Sequence, residues 1–374
     1  MIHIDEVTLL HYFNLDALDR FCQVLMSSSE PFGGKLVVLS GDFRQILPVV
    51  PSGTRARIVL AAVKSSQLWP LCTTLKLTEN MRVQRLIELN PTPENRDRLN
   101  AYSSWLLQMG NGTLASPLNP QDNIIQIPQH MVCNSVEEMI NNVYDNFADN
   151  YNNIEYIRAR AILTAKNSTV DHLNEEIVRR LPGNTVISES IDTVVDEDTA
   201  TNYPVELLNS IDISGMPPHI LKLKKDCVII LMRNLNVKKG HCNGTRYIVL
   251  SVSENIIVAK KLHWKNDVND IIVISKVPLH TSENDFPFIM RRLQWPIRVA
   301  YVMTFNKSQG QSIDKYGLML PQSVFSHGQL YVGFSRCGDP DNIYVWADQM
   351  EFREMGLPEG HYYTRNVVYP EVLG

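Results

Sequence analysis

The stretch that most constrains the fold is residues 33–48, where a short apolar run is bounded by glycines. Residues 35–40 read Lys-Leu-Val-Val-Leu-Ser, and β-branched residues in such a run predict a buried strand rather than a helix. The polar residues Asp42, Arg44 and Gln45 follow it directly. In open parallel α/β sheets, ligands bind at the carboxyl ends of the strands. These three side chains are therefore candidate site residues, and the alternative is a surface turn after a core strand.

A second short apolar strand, residues 1–4, ends in the carboxylates Asp5 and Glu6. Apolar residues at helical spacing over residues 15–25 predict a helix between it and the strand at 35–40. Strand, helix and strand together predict one right-handed βαβ unit of a parallel sheet. In P-loop nucleoside triphosphatases an acid at this position orients Mg²⁺, and a neighbouring carboxylate activates water. The alternative for the Asp-Glu pair is a solvated surface.

Composition and charge narrow the functional class. The 374 residues suggest two or three domains, and 44% apolar with 20% charged residues is ordinary for a globular protein. A net charge of −5 gives no global basic field, so contacts with nucleic acid must come from local basic groups. The six cysteines form no Cys-x-x-Cys pair and have no close histidine at zinc spacing. We therefore expect reduced thiols, no zinc site and no contact with a membrane.

The α/β pattern continues to a polar break at residues 149–153, which predicts a domain boundary near residue 150. Helical patterning covers residues 52–70, 95–109 and 135–147. Residues 75–82 are predicted to form a strand ending at Arg82. Arg82 is thus another candidate site residue, and the alternative is a solvated surface arginine.

The second half of the chain contains a segment of different period. A strand at residues 161–164 leads through a turn to Asn167 and a helix, and the acidic residues 184–204 are expected to be a turn-rich excursion. Residues 220–277 read as short strands with tight turns, which predicts a small antiparallel β module. The α/β pattern then resumes with a strand at 295–304, a polar exit at 305–311, a helix at 328–337 and a strand at 343–346.

Five motifs stand in a characteristic order. They are Ile-Asp-Glu at residues 4–6, Gly-Asp-Phe-Arg-Gln-x-x-Pro at 41–48, Asn-Met-Arg at 80–82, Thr-x-x-Lys-Ser-Gln-Gly-Gln at 304–311 and Gln-Leu-Tyr-Val-x-x-Ser-Arg at 329–336. This order resembles Pif1-type superfamily 1B DNA helicases over nearly the whole chain. The resemblance is closest to the Pif1-like helicase portion carried by Helitron transposable elements. Cys-Asn-Gly-Thr-Arg at 242–246 and Phe-Ser-His-Gly-Gln-Leu-Tyr at 325–331 look typical of that group.

The resemblance implies an α/β fold with two RecA-like P-loop NTPase domains, the first of them incomplete. Residues 1–150 would be the C-terminal part of the first motor domain, and residues 151–214 and 291–374 would form the second. A small antiparallel SH3-like β module, residues 215–290, would be inserted in the second domain. The implied function is ATP-driven unwinding of duplex DNA in the 5′→3′ direction by translocation on single-stranded DNA. ATP and Mg²⁺ would bind in the cleft between the two motor domains.

The resemblance also assigns roles to the residues at the first two strand exits. Asp5 would hold Mg²⁺ through water, and Glu6 would be the base for the attacking water. These residue types suit an in-line phosphoryl transfer, which needs a cation on the departing oxygens and an oriented water. Gln45 would sense the γ-phosphate.

Two arginines and the exit at residues 305–311 complete the implied nucleotide site. Arg82 and Arg336 would reach the γ-phosphate from different sides, because the guanidinium fork pairs bidentately with phosphate. The alternative for Arg336 is a cation stabilised by the C-terminus of a helix. Gly310 and Gln311 would also contact the nucleotide.

A further motif is implied to couple the nucleotide state to single-stranded DNA. Its residues are Thr304, Lys307, Ser308 and Gln309. Short hydroxyls and a lysine at a strand exit can follow a phosphate backbone without reading its sequence. Asn167 is expected to make a further backbone contact. Trp264 and Trp295 are candidates for base stacking, and the alternative for both is a position in the core.

The chain departs from the family pattern in one respect. The family's Gly-Lys-Thr phosphate loop lies upstream of the Asp-Glu pair, and the 374 residues contain no Gly-x-x-x-x-Gly-Lys-[Ser/Thr] motif. We therefore expect an N-terminally truncated or decayed copy of the motor. The rival interpretation is a non-enzymatic remnant that at most binds single-stranded nucleic acid. A nuclear location is expected from the implied DNA substrate and the reduced thiols.

Overall fold

The computed structural model describes residues 1–119, 122–196, 202–213, 215–262, 271–282 and 286–373. The chain divides into two compact units. Unit one comprises Met1–Met139, Leu163–Ala165 and Ser308–Gly374, and unit two comprises Ile140–Ile162 and Lys166–Lys307. Neither unit is a continuous segment of the chain.

The described residues form short strands and mostly short helices. The strands are β1 (Ile2–Ile4), β2 (Val37–Leu39), β3 (Ile124–Gln126), β4 (Arg160–Thr164), β5 (Val186–Glu189), β6 (Ile191–Val194), β7 (Ile220–Leu223), β8 (Val228–Leu231), β9 (Arg246–Val252), β10 (Ile256–Lys261), β11 (Ile271–Ser275), β12 (Val277–His280), β13 (Met290–Gln294), β14 (Ile297–Val299), β15 (Val302–Thr304), β16 (Lys315–Leu320), β17 (Ile343–Ala347) and β18 (Tyr363–Arg365). The α-helices are α1 (Tyr12–Met26), α2 (Arg55–Ala61), α3 (Met81–Leu89), α4 (Pro93–Asn111), α5 (Val136–Val143), α6 (Phe147–Asn150), α7 (Ile154–Arg158), α8 (Asn167–Arg179), α9 (Val205–Ser210), α10 (Phe305–Ser308), α11 (Gln329–Phe334), α12 (Met350–Glu354) and α13 (Pro370–Leu373).

The predicted strand–helix–strand unit at the start of unit one is confirmed. β1 and β2 pair in parallel, with Ile4 opposite Leu39. Helix α1 begins after His11, whose ring nitrogen accepts a hydrogen bond from the backbone N–H of Phe13. The buried cluster beneath this unit consists of Val7, Leu15, Cys22, Phe32 and Val63. Because the two strands are parallel, their polar exits lie at the same edge.

The rest of unit one positions the short helix α11. β16 and β17 pair in parallel, with Leu320 opposite Ala347. The Tyr102 hydroxyl on α4 donates to the Phe334 carbonyl at the end of α11, at 2.6 Å. This contact fixes the end of α11, and Arg336 follows that end by two residues.

The described part of unit two contains a larger antiparallel sheet of order β11-β10-β9-β8-β14, a smaller one of order β12-β13-β6, and the antiparallel pair β5-β7. Strands β8 to β11 confirm the short strands predicted within residues 220–277. β14 also joins the larger sheet, with Ile297 opposite Leu231, although it lies outside the predicted β module.

The prediction that residues 184–204 are a turn-rich excursion was wrong for the described part of that segment. Residues 186–189 and 191–194 form β5 and β6. The side chains of Ser190 and Asp192 are buried, whereas Ile191 is exposed. This alternation places polar groups inward, so the usual apolar period of a strand is absent from the sequence.

The predicted strand at residues 75–82 was also wrong, because the only element there is the start of a helix. Helix α3 begins at Met81, and the Asn80 side chain caps it by accepting from the Val83 N–H at 3.3 Å. Leu75 and Leu77 are almost fully exposed, at 88% and 98%, so they bury no strand face. Arg82 therefore lies in the first turn of a helix and not at the end of a strand.

Two further predicted elements are shorter than expected. The helix predicted at residues 52–70 is α2, Arg55–Ala61, followed by isolated 3₁₀ turns. The strand predicted at 295–304 is broken into β14 and β15. Trp295 precedes this pair, is 1% exposed and donates its indole N–H to the Asn255 carbonyl at 3.2 Å. The core alternative therefore holds for Trp295, and Trp264 lies outside the described residues.

Among the described residues, no helix is both long and apolar enough to span a bilayer. Within the same ranges, no cluster of three or more histidine, cysteine, aspartate or glutamate side chains could hold a metal ion. All six cysteines are free, and Cys22, Cys133, Cys227 and Cys337 are buried.

A buried ion pair joins β6 to β13 in unit two. The guanidinium of Arg292 donates to both carboxylate oxygens of Asp192, at 2.7 to 3.1 Å, and both side chains are fully buried. Arg292 also donates to three backbone carbonyls, those of Leu208, Ile211 and Pro217. A buried charge costs free energy unless it is paired and hydrogen-bonded. Here each charge has the other as its partner, and all three nitrogens of the guanidinium are hydrogen-bonded.

We predict that Arg292→Met lowers the free energy of unfolding by about 3–5 kcal/mol, because it leaves the Asp192 carboxylate buried without its cation. Arg291→Met is the matched control, since Arg291 is the exposed neighbour on the same strand, and it should change stability by no more than about 0.5 kcal/mol. Urea unfolding followed by circular dichroism measures both. Equal losses for the two variants would show that the buried pair does not stabilise unit two.

Candidate active site

The first candidate residue, Asp5, lies at the exit of β1 and is exposed. Its Oδ1 accepts from the Ser40 hydroxyl at 2.7 Å and from the Glu6 backbone N–H at 3.0 Å. These hydrogen bonds, led by the one from Ser40, lower the pKa of the Asp5 carboxyl. Asp5 is therefore ionised at neutral pH and is held by a residue of the neighbouring strand exit.

Glu6 adopts a left-handed backbone conformation with φ of 51°. This region is sparsely populated by residues other than glycine, and such strain clusters at functional sites. The half-buried carboxylate of Glu6 accepts from the Gln309 side-chain amide at 2.9 Å. A Cβ on Gly310 would lie 3.7 Å from the other carboxylate oxygen. The 305–311 motif thus touches Glu6 directly, a contact that the residue pattern did not predict.

Arg336 lies just after α11 and is 5% exposed. Its Nε donates to the Val332 carbonyl at 2.8 Å, and its Nη2 donates to the Ser335 hydroxyl at 2.7 Å. Its Nη1 donates to the carbonyls of Ser308 and Gln311, at 3.3 and 3.4 Å. The guanidinium therefore binds the backbone around the same motif that contacts Glu6.

The charges around Arg336 show which candidate residues are neighbours. Burial lowers the pKa of Arg336, and the positive charge of Arg82 lowers it further, whereas Tyr316, Tyr331 and Glu6 raise it. Arg82 donates to the Ser335 carbonyl at 2.5 Å and to the Ser312 hydroxyl at 3.0 Å. Both arginines thus lie beside residues 308–312, and Glu6 lies on the same motif.

Gln45 lies in the loop after β2. Its backbone N–H donates to the Asp42 carbonyl at 2.9 Å. Its side-chain Oε1 is buried and has no hydrogen-bond partner among the described residues. An unsatisfied buried acceptor costs about 1–3 kcal/mol, and such an atom in a native structure requires an explanation. A ligand or a water molecule that donates to this oxygen would supply one.

The remaining candidates belong to unit two or to its boundary. Asn167 is the first residue of α8, and Thr304 is the last residue of β15. Burial and the charge of Arg298 lower the pKa of Lys307, and Asp171 opposes them. Ser308 is fully buried, so its hydroxyl does not face solvent.

Sequence reasoning missed one contact of the Asp42 loop. The Tyr331 hydroxyl donates to Asp42 Oδ2 at 3.1 Å, and Asp42 Oδ1 accepts from the backbone and side chain of Arg44. Both stretches were recognised as motifs, but nothing in their spacing says that they touch. The tyrosine inside the motif, five residues before Arg336, is the only available signal.

Two family models match separate parts of the chain. The model of the PIF1-like helicase matches residues 1–119, and that of the DNA helicase Pif1 2B domain matches residues 206–252. The chain is thus similar to PIF1-like helicases over these two segments. The candidate residues Asp5, Glu6, Gln45 and Arg82 of unit one fall within the first matched segment.

Curated relatives match nearly the whole chain. The ATP-dependent DNA helicase PIF1 of Xenopus laevis is 24% identical over 344 residues, covering 91% of this chain and 46% of that protein. That of Rattus norvegicus is 25% identical over 337 residues, covering 89% of this chain and 44% of that protein. The chain therefore spans about half the length of these relatives.

Solved structures show the same mixed α/β fold. A crystal structure of Pif1 helicase from Candida albicans aligns with a TM-score of 0.61 and 19% identity, covering 95% of this chain and 74% of that one. A Bacteroides Pif1 helicase in complex with ADP-AlF3 and ssDNA also aligns with a TM-score of 0.61 and 19% identity. That match covers 98% of this chain and 77% of the Bacteroides chain. At 19% identity, these two alignments show a similarity of fold alone.

We predict that Ser40→Ala raises the pKa of the Asp5 carboxyl toward its ordinary value, because the strongest stabilising hydrogen bond to the carboxylate is removed. Carbon-13 NMR titration of aspartate-labelled protein measures the change. Ser65→Ala is the control, since Ser65 is exposed and outside the site. An unchanged Asp5 titration in Ser40→Ala would show that the hydroxyl does not stabilise the carboxylate.

Proposed function

We propose that this chain is part of an ATP-dependent DNA helicase that unwinds duplex DNA in the 5′→3′ direction. The observation that carries the proposal is the grouping of one acid with two arginines around residues 308–312. Glu6, Arg82 and Arg336 come from three distant parts of the chain, yet all contact this motif. Such a group suits phosphoryl transfer, in which catalysis rests on positioning and charge stabilisation. The names of the curated relatives support the same activity.

In the proposed mechanism the carboxylates prepare the attacking water. Asp5 would hold a hydrated Mg²⁺, and an exposed, ionised carboxylate fits this ion because Mg²⁺ keeps several of its waters. Bound magnesium would supply positive charge that offsets the charge on the phosphate oxygens. Glu6 would accept the proton of the attacking water. The buried Oε1 of Gln45 is an acceptor without a partner, which fits a role in orienting that water.

The two arginines would stabilise the phosphoryl group as it leaves. Arg336 is positioned by carbonyls of the 308–311 segment, and Arg82 is anchored on Ser335 and Ser312. Each guanidinium remains charged and can pair with phosphate oxygens. Gly310 and Gln311 would line the nucleotide, since they lie between Glu6 and Arg336.

The same motif would connect the nucleotide to DNA. Asn167, Thr304 and Lys307 of unit two are the proposed contacts to the phosphate backbone of single-stranded DNA. Gln309 is proposed to transmit DNA binding, because its side-chain amide donates to Glu6. The Bacteroides Pif1 helicase was crystallised in complex with both ADP-AlF3 and ssDNA, which supports nucleotide and DNA as ligands of this fold.

The division of the chain into domains, its relationship to Helitron helicases and its location in the cell are also part of the proposal. Two RecA-like domains would occupy residues 1–150 and 151–214 with 291–374, and an SH3-like module would occupy residues 215–290. The antiparallel sheet of β8 to β11 supports the module, and the 2B-domain match at residues 206–252 overlaps it. The closest relationship would be to the helicases of Helitron elements, and the proposed location is the nucleus.

A second candidate function is binding of single-stranded nucleic acid without hydrolysis. The observation that favours it is the sequence of the 374 residues, which contains no phosphate-loop motif. That loop supplies the backbone N–H groups and the lysine that cradle the β- and γ-phosphates. Under this candidate the acid and the arginines would remain as a folded but inactive site.

We predict that Glu6→Gln keeps ATP-analogue binding but lowers turnover by about 10²–10⁴-fold, because an amide cannot accept the proton of the attacking water. The measurement is DNA-stimulated ATP turnover of the longest natural polypeptide that contains these residues. Glu88→Gln is the matched control, since Glu88 is exposed on α3. Turnover within a few-fold of the parent would exclude Glu6 as the base, whereas a parent that does not hydrolyse ATP would favour the second candidate.

We predict that the 374-residue chain binds single-stranded DNA with little sequence preference. Lys307→Ala should weaken the dependence of this affinity on salt concentration. The slope of log affinity against log salt should fall by roughly 0.7, the value for one phosphate contact on a single strand. Fluorescence anisotropy with labelled oligonucleotides of unrelated sequence measures it. Lys225→Ala, at an exposed position of unit two, should leave the slope unchanged. A strong preference for one sequence would contradict backbone contacts.

A further inference from the structure

His327 belongs to a motif that the proposed mechanism does not use. It lies in the turn before α11 and is fully buried. Its Nδ1 is 2.8 Å from the backbone nitrogen of Tyr369, and its Nε2 is 2.7 Å from the Phe43 carbonyl oxygen. A backbone N–H can only donate, so Nδ1 must be the acceptor. The proton of the neutral ring therefore lies on Nε2, which donates to Phe43.

The residue after His327 contacts the Gln45 loop through its backbone. Gly328 has φ of +72°, and a Cβ at this position would lie 2.4 Å from the Arg44 carbonyl oxygen and 2.6 Å from the Gln45 carbonyl carbon. Glycine is thus required for both conformation and space. The imidazole and the glycine together hold residues 43–45 on the turn.

The turn that contains His327 is itself held in place by hydrogen bonds. The side-chain oxygen of Gln329 accepts from the backbone N–H groups of Phe325 and Ser326, at 3.1 and 3.2 Å. The Gly328 N–H donates to the Val367 carbonyl at 3.1 Å. One helical turn further on, Tyr331 donates to Asp42 at 3.1 Å. Phe43 and Asp42, at the start of the loop, are therefore hydrogen-bonded to the turn and to the helix that follows it.

The side chain of Gln45 explains why the loop needs such contacts. Its Oε1 is buried and has no hydrogen-bond partner among the described residues. This raises the free energy of the loop conformation, which other contacts must offset. The charged groups facing His327 are Asp42, Arg55 and Glu371, and burial lowers the pKa of the imidazole. The neutral ring that these hydrogen bonds require is therefore the form present at neutral pH.

We propose that His327 is a positioning residue for Gln45, acting through the hydrogen bond from its Nε2 to the Phe43 carbonyl. The inference rests on the proposed function, in which Gln45 senses the γ-phosphate and orients the attacking water. Tyr369 acts on the other side of the ring and sets its tautomer. The link to Phe43 controls the loop, and the link to Tyr369 serves only to orient the imidazole.

Two substitutions separate these links. In His327→Gln the amide nitrogen lies where Nε2 was and can still donate to Phe43, whereas in His327→Asn the amide oxygen lies where Nδ1 was and can still accept from Tyr369. Hydrogen exchange of residues 41–47, read by mass spectrometry on the 374-residue chain, reports on the loop because the Gln45 N–H is bonded within it. We expect exchange about fivefold faster or more in His327→Asn, corresponding to one lost hydrogen bond, and near-parental exchange in His327→Gln.

A merely structural role predicts a different pattern. Each variant loses one hydrogen bond, so the midpoint temperature of thermal unfolding should fall to a similar extent in both. Equal hydrogen exchange of residues 41–47 in the two variants would overturn the proposal. If neither variant folds, nitrogen-15 NMR of histidine-labelled parent protein decides the question. An Nε2–H tautomer with slow proton exchange at His327 supports the proposal, and an Nδ1–H tautomer refutes it.

Kinetics on the longest natural polypeptide separate this inference from the proposed function. His327→Asn should lower kcat for ATP with little change in KM, and His327→Gln should restore it. If the parent does not hydrolyse ATP while the exchange pattern holds, the helicase proposal fails and the positioning of the loop stands. If the parent hydrolyses ATP and both variants keep its kcat, His327 does not position Gln45.

Discussion

The parallel pairing of β1 with β2 is the constraint on which the candidate site depends. With Ile4 opposite Leu39, the residues after each strand emerge side by side. Ser40 joins the two exits, because its hydroxyl donates to Asp5 while its backbone carbonyl accepts from the Val7 N–H at 2.9 Å. Glu6, with its left-handed backbone conformation, lies between the two residues that Ser40 binds. A register shift of one residue would turn the side chains of the shifted strand to the other face of the sheet and would separate Asp5 from Ser40.

Charge balance around residues 308–312 explains why two arginines tolerate each other. Arg336 is buried and close enough to Arg82 for its pKa to be lowered by that charge. Backbone carbonyls and the Glu6 carboxylate offset part of the cost of burial. The group as a whole carries more positive than negative charge, which suits a polyanionic ligand such as a triphosphate. Gln309 belongs to this group through its hydrogen bond to Glu6, and it follows Lys307 by two residues in the chain.

The elements that were predicted correctly are those whose burial follows an apolar period. The βαβ unit, β4, α4 and strands β8 to β11 all have apolar faces that the residue pattern reveals. The predictions failed where a different force decides the structure. β6 buries Asp192, whose charge is paired with Arg292 from a strand 100 residues away. At residues 75–82 the apolar residues have no partner to pack against, and the Asn80 cap starts a helix instead.

The sequence by itself determined the residue types of the candidate site and their order, because the motifs are short and each follows a recognisable strand or helix. It also carries the similarity to Pif1-like helicases, which family models match at residues 1–119 and 206–252. Only the tertiary structure decided which motifs touch. Gln309 binds Glu6 across 303 residues, and His327 binds Phe43 across 284 residues. Such contacts depend on how separate elements pack, and local patterns carry no information about long-range distances.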